Sequence, residues 1–213
     1  MRKQLVLALG LFLAWMVPIA HADVMESMEY VRITPAQPVP PGSKIPVQEV
    51  FWYGCPHCFH LQPILNHWLA HMPKGIAFTR QAAAISPYWL PQARAFFAFE
   101  DLGLLPALHD KFFNAIHIHH EVLDDADTIS AWVAANSHVS AKRFRLVYHS
   151  FAVGLAVRKA RAQQTQEAIH SVPTFVVDGR YRTNPGLAGG RRQLMKVVDY
   201  LVHKAQRRRK PHA

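Results

Sequence analysis

The sequence predicts an α/β protein in which a strand-and-helix sheet domain is interrupted by a helical one. Three observations predict it. Short β-branched and aromatic runs occur at Val47–Tyr53 and Ile76–Ala83, and again at Thr174–Asp178 and Arg180–Thr183. Between them, from Ser86 to about Gln166, apolar residues recur at helical spacing and no strand pattern is present. Half of the 213 residues are hydrophobic, enough for one well-cored domain carrying an insertion.

The chain opens with Arg2 and Lys3, an apolar run from Leu5 to Val17, and Ala20-His21-Ala22, whose small residues suit a signal peptidase. Residues 1–22 are therefore expected to be an export signal cleaved after Ala22. The apolar run is short against the roughly 20 residues needed to span a bilayer, and Pro18 interrupts it. Tyr30–Ile33 alternates as a short strand. Pro35, Pro38, Pro40 and Pro41 make the next stretch an extended connector. Val47–Tyr53 is a core strand ended by Gly54. Leu61, Leu65, Trp68 and Met72 then mark a helix that Pro63 is expected to kink. Ile76–Ala83 is a second core strand.

Helices are expected over Pro91–Leu102 and Leu104–His119, the latter with an apolar stripe of Leu104, Leu108, Phe112, Phe113 and Ile116. A third, Asp127–Asn136, is capped by Asp125 or Asp127, and Ser140 caps one long helix beyond it. Asp178-Gly179 turns a hairpin between Thr174–Asp178 and Arg180–Thr183. A closing helix after Gly189 and Gly190 carries Leu194, Val197, Val198, Leu201 and Val202. The resulting division is 1–22 signal, 23–84 first part of the sheet domain, 85–166 helical insertion, 167–206 second part, and 207–213 basic tail.

The chain has two cysteines, Cys55 and Cys58. In an exported protein such a pair oxidises readily, yet a bridge over so small a loop removes little entropy from the unfolded chain. The pair is better explained by its reactivity. The net charge is +10 as written, and +8 without Arg2 and Lys3. Arg207, Arg208, Arg209 and Lys210 concentrate much of the excess, which reads as a solvated tail; attraction to anionic lipid or nucleic acid is the weaker alternative, and export disfavours nucleic acid.

Cys55-Pro56-His57-Cys58 lies at the end of a predicted strand and the start of a predicted helix, and a spacing of three puts both sulfurs on one side of that helix. At the helix N-terminus, unpaired backbone N–H groups and the macrodipole favour a thiolate at Cys55, and His57 adds charge or a hydrogen bond. A stabilised thiolate leaves easily, so the oxidised pair is a disulfide donor, with Cys58 as the more buried resolving thiol. A half zinc site is a competing reading, completed from His60, His117, His119 or His120. A c-type haem site needs histidine after the second cysteine, where Phe59 stands. A purely structural disulfide is weakened by the loop argument.

From Glu49 to Cys58 the sequence E-V-F-W-Y-G-C-P-H-C resembles the active-site segment of the DsbA family of periplasmic dithiol oxidases. Ser171-Val172-Pro173-Thr174-Phe175 resembles that family's second signature, and the order of elements is similar over nearly all of the mature chain. The resemblance implies a thioredoxin fold with an inserted helical domain, with Cys55, Cys58, Pro56, His57 and Glu49 as catalytic residues. It also implies a cis proline at Pro173 that faces the dithiol and, with Val172, exposes backbone for strand-like pairing with a substrate peptide. Valine before that proline matches the oxidase type. Glu49 falls where the family has a buried acid, and its place in an apolar strand supports proton transfer near Cys58. Further implications are periplasmic location, clients that are folding exported proteins with cysteines, re-oxidation by a DsbB-type membrane oxidase, a monomer, and no cofactor or metal beyond the Cys55–Cys58 disulfide. Trp52, Phe59 and Phe175 are candidates for an apolar substrate groove. The chain departs from the family pattern at Gln62, where a second acid is common, and at Ser171, where glycine is frequent. Isomerase or reductase activity, and a Cys/His metal-binding protein using histidines such as His67, His71 and His138, are the alternatives.

Overall fold

The computed structural model describes residues 24–39, 42 and 44–209; the expected signal segment lies outside them. Five strands form one sheet: β1 (Val31–Arg32), β2 (Ile45–Phe51), β3 (Ile76–Ala82), β4 (Thr174–Val177) and β5 (Tyr181–Thr183), in the order β1-β5-β4-β2-β3. β2 pairs parallel with β3 and antiparallel with β4, so it is flanked on both edges. It is the strand that delivers the dithiol, and its alternation decides what lies behind it. Ile45, Val47, Glu49 and Phe51 share one face and are all buried, whereas Gln48 and Val50 point to the other.

The helices are α1 (Pro56–Ala70), α2 (Leu90–Asp101), α3 (Leu105–His117), α4 (Ala126–Asn136), α5 (Ala141–Tyr148), α6 (Phe151–Gln166) and α7 (Arg191–Arg209), with a 3₁₀ turn at Pro87–Trp89. α1 and α7 bury Leu61, Leu65, Leu194, Val198 and Leu201 against Ile45 and Val47. A second core joins Phe96, Phe99, Phe112, Phe113 and Phe144 of the helical segment to Phe51, Tyr53, Cys55 and Cys58. The dithiol therefore sits at the seam where sheet and helices share a core. Gln164 of α6 fastens that seam: its side-chain carbonyl accepts from the Ala84 amide at 2.8 Å, and its amide donates to Ala82 O at 3.0 Å. No helix among the described residues is long and apolar enough to cross a membrane.

α1 carries Pro63 inside it and continues to Ala70, since one missing N–H does not outweigh the burial of Leu61, Leu65 and Trp68. Elsewhere the structure corrects several expectations. The single long helix expected after Ser140 is two. Ser150 is extended between α5 and α6, and its hydroxyl accepts from Val153 N at 3.2 Å, capping a new helix. Of the two caps considered for α4, Asp125 accepts from the amides of Asp127 and Thr128. Phe175 pairs with Glu49 in the sheet and is fully buried in the core, so it cannot line a groove.

Nor are Arg207–Arg209 a free tail; they are the last turn of α7. Arg209 donates to the carbonyls of Gly42 and Lys44, both at 3.0 Å, and pairs with the carboxylate of Asp178, which is 1% exposed at the β4–β5 turn. Removing Arg209 leaves the buried Asp178 carboxylate with only the longer contact to Arg180 Nε at 3.7 Å among the described residues, a larger penalty than the pair's own net contribution. Since the Arg209 side chain keeps 22% of its surface, R209A is expected to lower stability by about 1–3 kcal/mol. R207A, at an exposed residue with no such partner among the described residues, stays within about 0.5 kcal/mol of the parent. Urea unfolding followed by circular dichroism measures both.

Candidate active site

β2 ends at Phe51, and the chain turns through Trp52–Cys55, with the Cys55 amide donating back to Trp52 O at 3.0 Å. Cys55 is the N-cap of α1, in extended backbone (φ −87°, ψ 116°), and its carbonyl accepts the first helical bond from Phe59 N at 3.0 Å. Pro56 occupies the first helical turn, where a missing N–H leaves no bond unmade. His57 is exposed. Cys58, one turn in, faces the core with no exposed surface, against 6% for Cys55. The two thiols are unbridged in this structure.

This placement separates the two sulfurs chemically. A hydrogen bond from the Cys58 thiol lowers the Cys55 pKa from an ordinary 9.0 to about 6 against the opposing cost of burial, helped by the Cys58 and His57 amides and the His57 charge. Burial drives the Cys58 pKa far upward, and the neighbouring Cys55 adds to it. At neutral pH the pair is a thiolate beside a thiol, the thiolate on the sulfur nearer solvent. As a thiol, Cys55 Sγ reaches the Val172 carbonyl at 3.6 Å. The Val172–Pro173 peptide is cis, Val172 is half-buried and Pro173 buried, so this loop packs directly across the dithiol.

Behind Cys58, Glu49 is wholly buried on β2. Gln62 Nε2 donates to Glu49 Oε1 and to the Cys58 carbonyl, both at 3.3 Å, and Arg80 Nε donates to Glu49 Oε2 at 3.2 Å. Burial raises the Glu49 pKa from 4.5 to about 7, with Arg80 and Gln62 pulling the other way. A carboxyl poised near neutrality holds or releases a proton at working pH.

The structure thus gathers Cys55, Pro56, His57, Cys58, Glu49, Val172 and Pro173 around one point. Trp52 and Phe59 are half-buried beside it, and Phe175 is excluded. The sequence reading missed Arg80, which alternation along β3 places next to Glu49, with a registered pairing between the two residues. It also missed α3. His117, considered there only as a metal ligand, bonds the Tyr53 carbonyl, and His109 bonds the Tyr53 hydroxyl. Their spacing of eight around Phe113 is a legible helical stripe. No group of three or more His, Cys, Asp or Glu side chains with metal-holding geometry exists among the described residues.

Residues 72–201 match the family described as DSBA-like thioredoxin domain. The chain is 34% identical over 182 residues to the thiol:disulfide interchange protein DsbA of Pseudomonas aeruginosa, covering 85% of this chain and 86% of that protein. It is 33% identical over 184 residues to the protein of the same name from Azotobacter vinelandii, covering 86% of each. The crystal structure of Pseudomonas aeruginosa DsbA superposes with a TM-score of 0.80 at 33% identity, covering 86% of this chain and 95% of that one.

The opposed thiol shifts and the raised Glu49 pKa each have a measurable outcome. In the reduced protein, thiolate absorbance and alkylation rate at Cys55 should rise with a midpoint near pH 6, while Cys58 stays unreactive to well above the ordinary thiol range. The second concerns Glu49, whose folded pKa lies above its unfolded value, so the native state holds the extra proton. Its contribution to stability is full below about 4.5 and is lost as pH rises through about 7. Urea unfolding of the oxidised protein, whose cysteines do not titrate, should show stability falling from pH 5 to pH 8. E49Q should flatten that slope; an unchanged slope would place the Glu49 titration elsewhere.

Proposed function

The chain belongs to the DSBA-like thioredoxin family of thiol:disulfide oxidoreductases, and from that premise we propose that it donates its Cys55–Cys58 disulfide to exported proteins as they fold. It has the thioredoxin fold with helices inserted between β3 and β4; we take 85–166 as the inserted domain, with 23–84 and 167–206 completing the thioredoxin part. The observation that carries the proposal is the opposed shift of the two thiols, down to about 6 at Cys55 and far up at Cys58. A low-pKa sulfur at the accessible position stabilises the reduced form of the protein, so its disulfide is given up readily.

In the proposed cycle a client thiolate attacks Cys55 Sγ of the oxidised protein. The Cys55–Cys58 bond breaks and a client–Cys55 disulfide forms. The electron pair goes to Cys58 sulfur, which takes a proton because its environment does not tolerate the anion. Glu49, joined to the Cys58 backbone through Gln62, is the residue proposed to pass that proton. The client's second thiolate then attacks the client sulfur of the mixed disulfide. Cys55 leaves as a stable thiolate, the client is oxidised by two electrons, and the protein is reduced. His57 and the helix-start amides support the departing charge. The backbone beside Val172 and Pro173 pairs with the client strand, holding its sulfur against Cys55.

Return to the disulfide form is assigned to a DsbB-type membrane oxidase. The protein is proposed to work as a monomer in the periplasm after cleavage behind Ala22, with no cofactor beyond its own disulfide and no nucleic-acid partner.

Equilibration with glutathione tests the direction of the cycle. A potential near the oxidising end of dithiol proteins, about −120 mV as known for a member of this family, supports a donor. A value near about −270 mV makes the pair a reductant and reverses the scheme. C58S whose Cys55 is first converted to its glutathione mixed disulfide should exchange with the thiolate of a single-cysteine client, releasing glutathione and holding the client on Cys55.

A further inference from the structure

Tyr53 is held at both ends by one face of α3. Its hydroxyl meets His109 Nδ1 at 3.0 Å, its ring packs edge-on to Phe113 at 4.9 Å, and its backbone carbonyl accepts from His117 Nε2 at 2.7 Å. His109, Phe113 and His117 are four residues apart, so they line one side of the helix. His117 is itself fixed by stacking on Phe59, with ring centroids 4.8 Å apart and an interplanar angle of 18°.

The carbonyl that His117 holds belongs to the central peptide of the turn Trp52-Tyr53-Gly54-Cys55, closed by Cys55 N to Trp52 O. Such a turn has two forms related by a flip of that peptide, and the flipped form needs a positive φ at its third residue, which glycine accepts freely. The third residue is Gly54, and its φ lies outside the positive range. Glycine is required here for another reason: a Cβ would overlap the Trp52 indole. That ring is stacked on Trp89, with centroids 5.2 Å apart and an interplanar angle of 18°, which resists its displacement. The site thus demands the one residue that leaves its own turn free to flip, directly before the nucleophile.

We infer that His117 is a positioning residue of the active site: by donating to the Tyr53 carbonyl it locks the Tyr53–Gly54 peptide in one orientation and thereby fixes Cys55 at the start of α1. Through it the helical segment acts on the dithiol by way of the backbone that precedes Cys55. The imidazole stays neutral because burial lowers its pKa, and the bond to a carbonyl places the ring proton on Nε2. This inference rests on Cys55 being the reacting sulfur.

The test uses the full mature protein and three variants. H117F and H117M remove the donor while keeping an apolar body against Phe59, and two such variants guard against one that does not fit. H117Q restores a donor. Nitrogen-15 relaxation dispersion at the Gly54 amide should be silent in the parent and in H117Q. In H117F or H117M it should report microsecond-to-millisecond exchange. One net hydrogen bond weights the flip equilibrium by roughly fivefold. The rate of Cys55 with oxidised glutathione should therefore fall in the apolar variants, by less than that factor because only the flipped fraction is lost, and should return to the parent's value in H117Q. A purely packing role for His117 would leave Gly54 silent and the rate unchanged in a folded apolar variant, or would make H117Q as slow as H117F; either result overturns the inference. These readouts need no client protein. Failure of the parent to oxidise a reduced peptide would instead count against the proposed function alone.

Discussion

The chemistry depends on where the chain leaves β2. A parallel-paired, doubly flanked strand ends at Phe51, and within four residues the backbone has turned and begun α1 with Cys55 as its cap. The unpaired N–H groups at that helix start favour an anion, and those of His57 and Cys58 help to lower the Cys55 pKa. Move the helix start by one residue and the capping sulfur is lost, while Cys58 no longer turns inward. The asymmetry of the dithiol is therefore a consequence of helix phase: the cap position is lightly exposed, and three residues later the same face is buried.

That phase is set by burial on both sides. Leu61, Leu65 and Trp68 commit α1 to the sheet, while Phe51, Tyr53 and the two cysteines join the aromatic core of the helical segment. The active site lies at a seam between two cores, which is why residues from β2, α1, α3, β3 and the Val172–Pro173 loop all reach it. A seam also explains the polar chemistry found there. Gln164 satisfies backbone groups at the end of β3, and Gln62 satisfies both Glu49 and the Cys58 carbonyl, as buried polar groups require.

Most of this was legible in the sequence where a pattern is local. Cys55-Pro56-His57-Cys58 at a strand–helix junction, the hairpin at Asp178-Gly179 and the strandless stretch before Gln166 are each carried by neighbouring residues. The misreadings came from long-range contacts. Arg209 looks like part of a solvated run until Asp178, buried far away in sequence, is seen to need a partner. Phe175 sits beside a signature proline and so suggests a surface, but strand alternation turns it into the core opposite Glu49. Ser150 resembles any serine inside a helix, and its capping role depends on the chain bending there. His117 has a helical partner pattern with His109 and Phe113, but its meaning depends on Tyr53, sixty-four residues away.

Gln62 is the departure from the family pattern with the clearest physical account. A second carboxylate at that position would stand beside Glu49 in a region without solvent. Like charges there would push one of the two further toward the protonated state. An amide instead gives its two N–H donors to Glu49 Oε1 and to the Cys58 carbonyl, adding no charge and joining the acid to the backbone of the buried cysteine. Glu49 is left with one ionic neighbour, Arg80, which is itself partly solvated. The balance is then between burial and a single guanidinium, and burial wins. What looks from the sequence like a missing part of a charge network is, in the folded protein, a neutral bridge that lets one buried acid titrate near neutrality behind the resolving thiol.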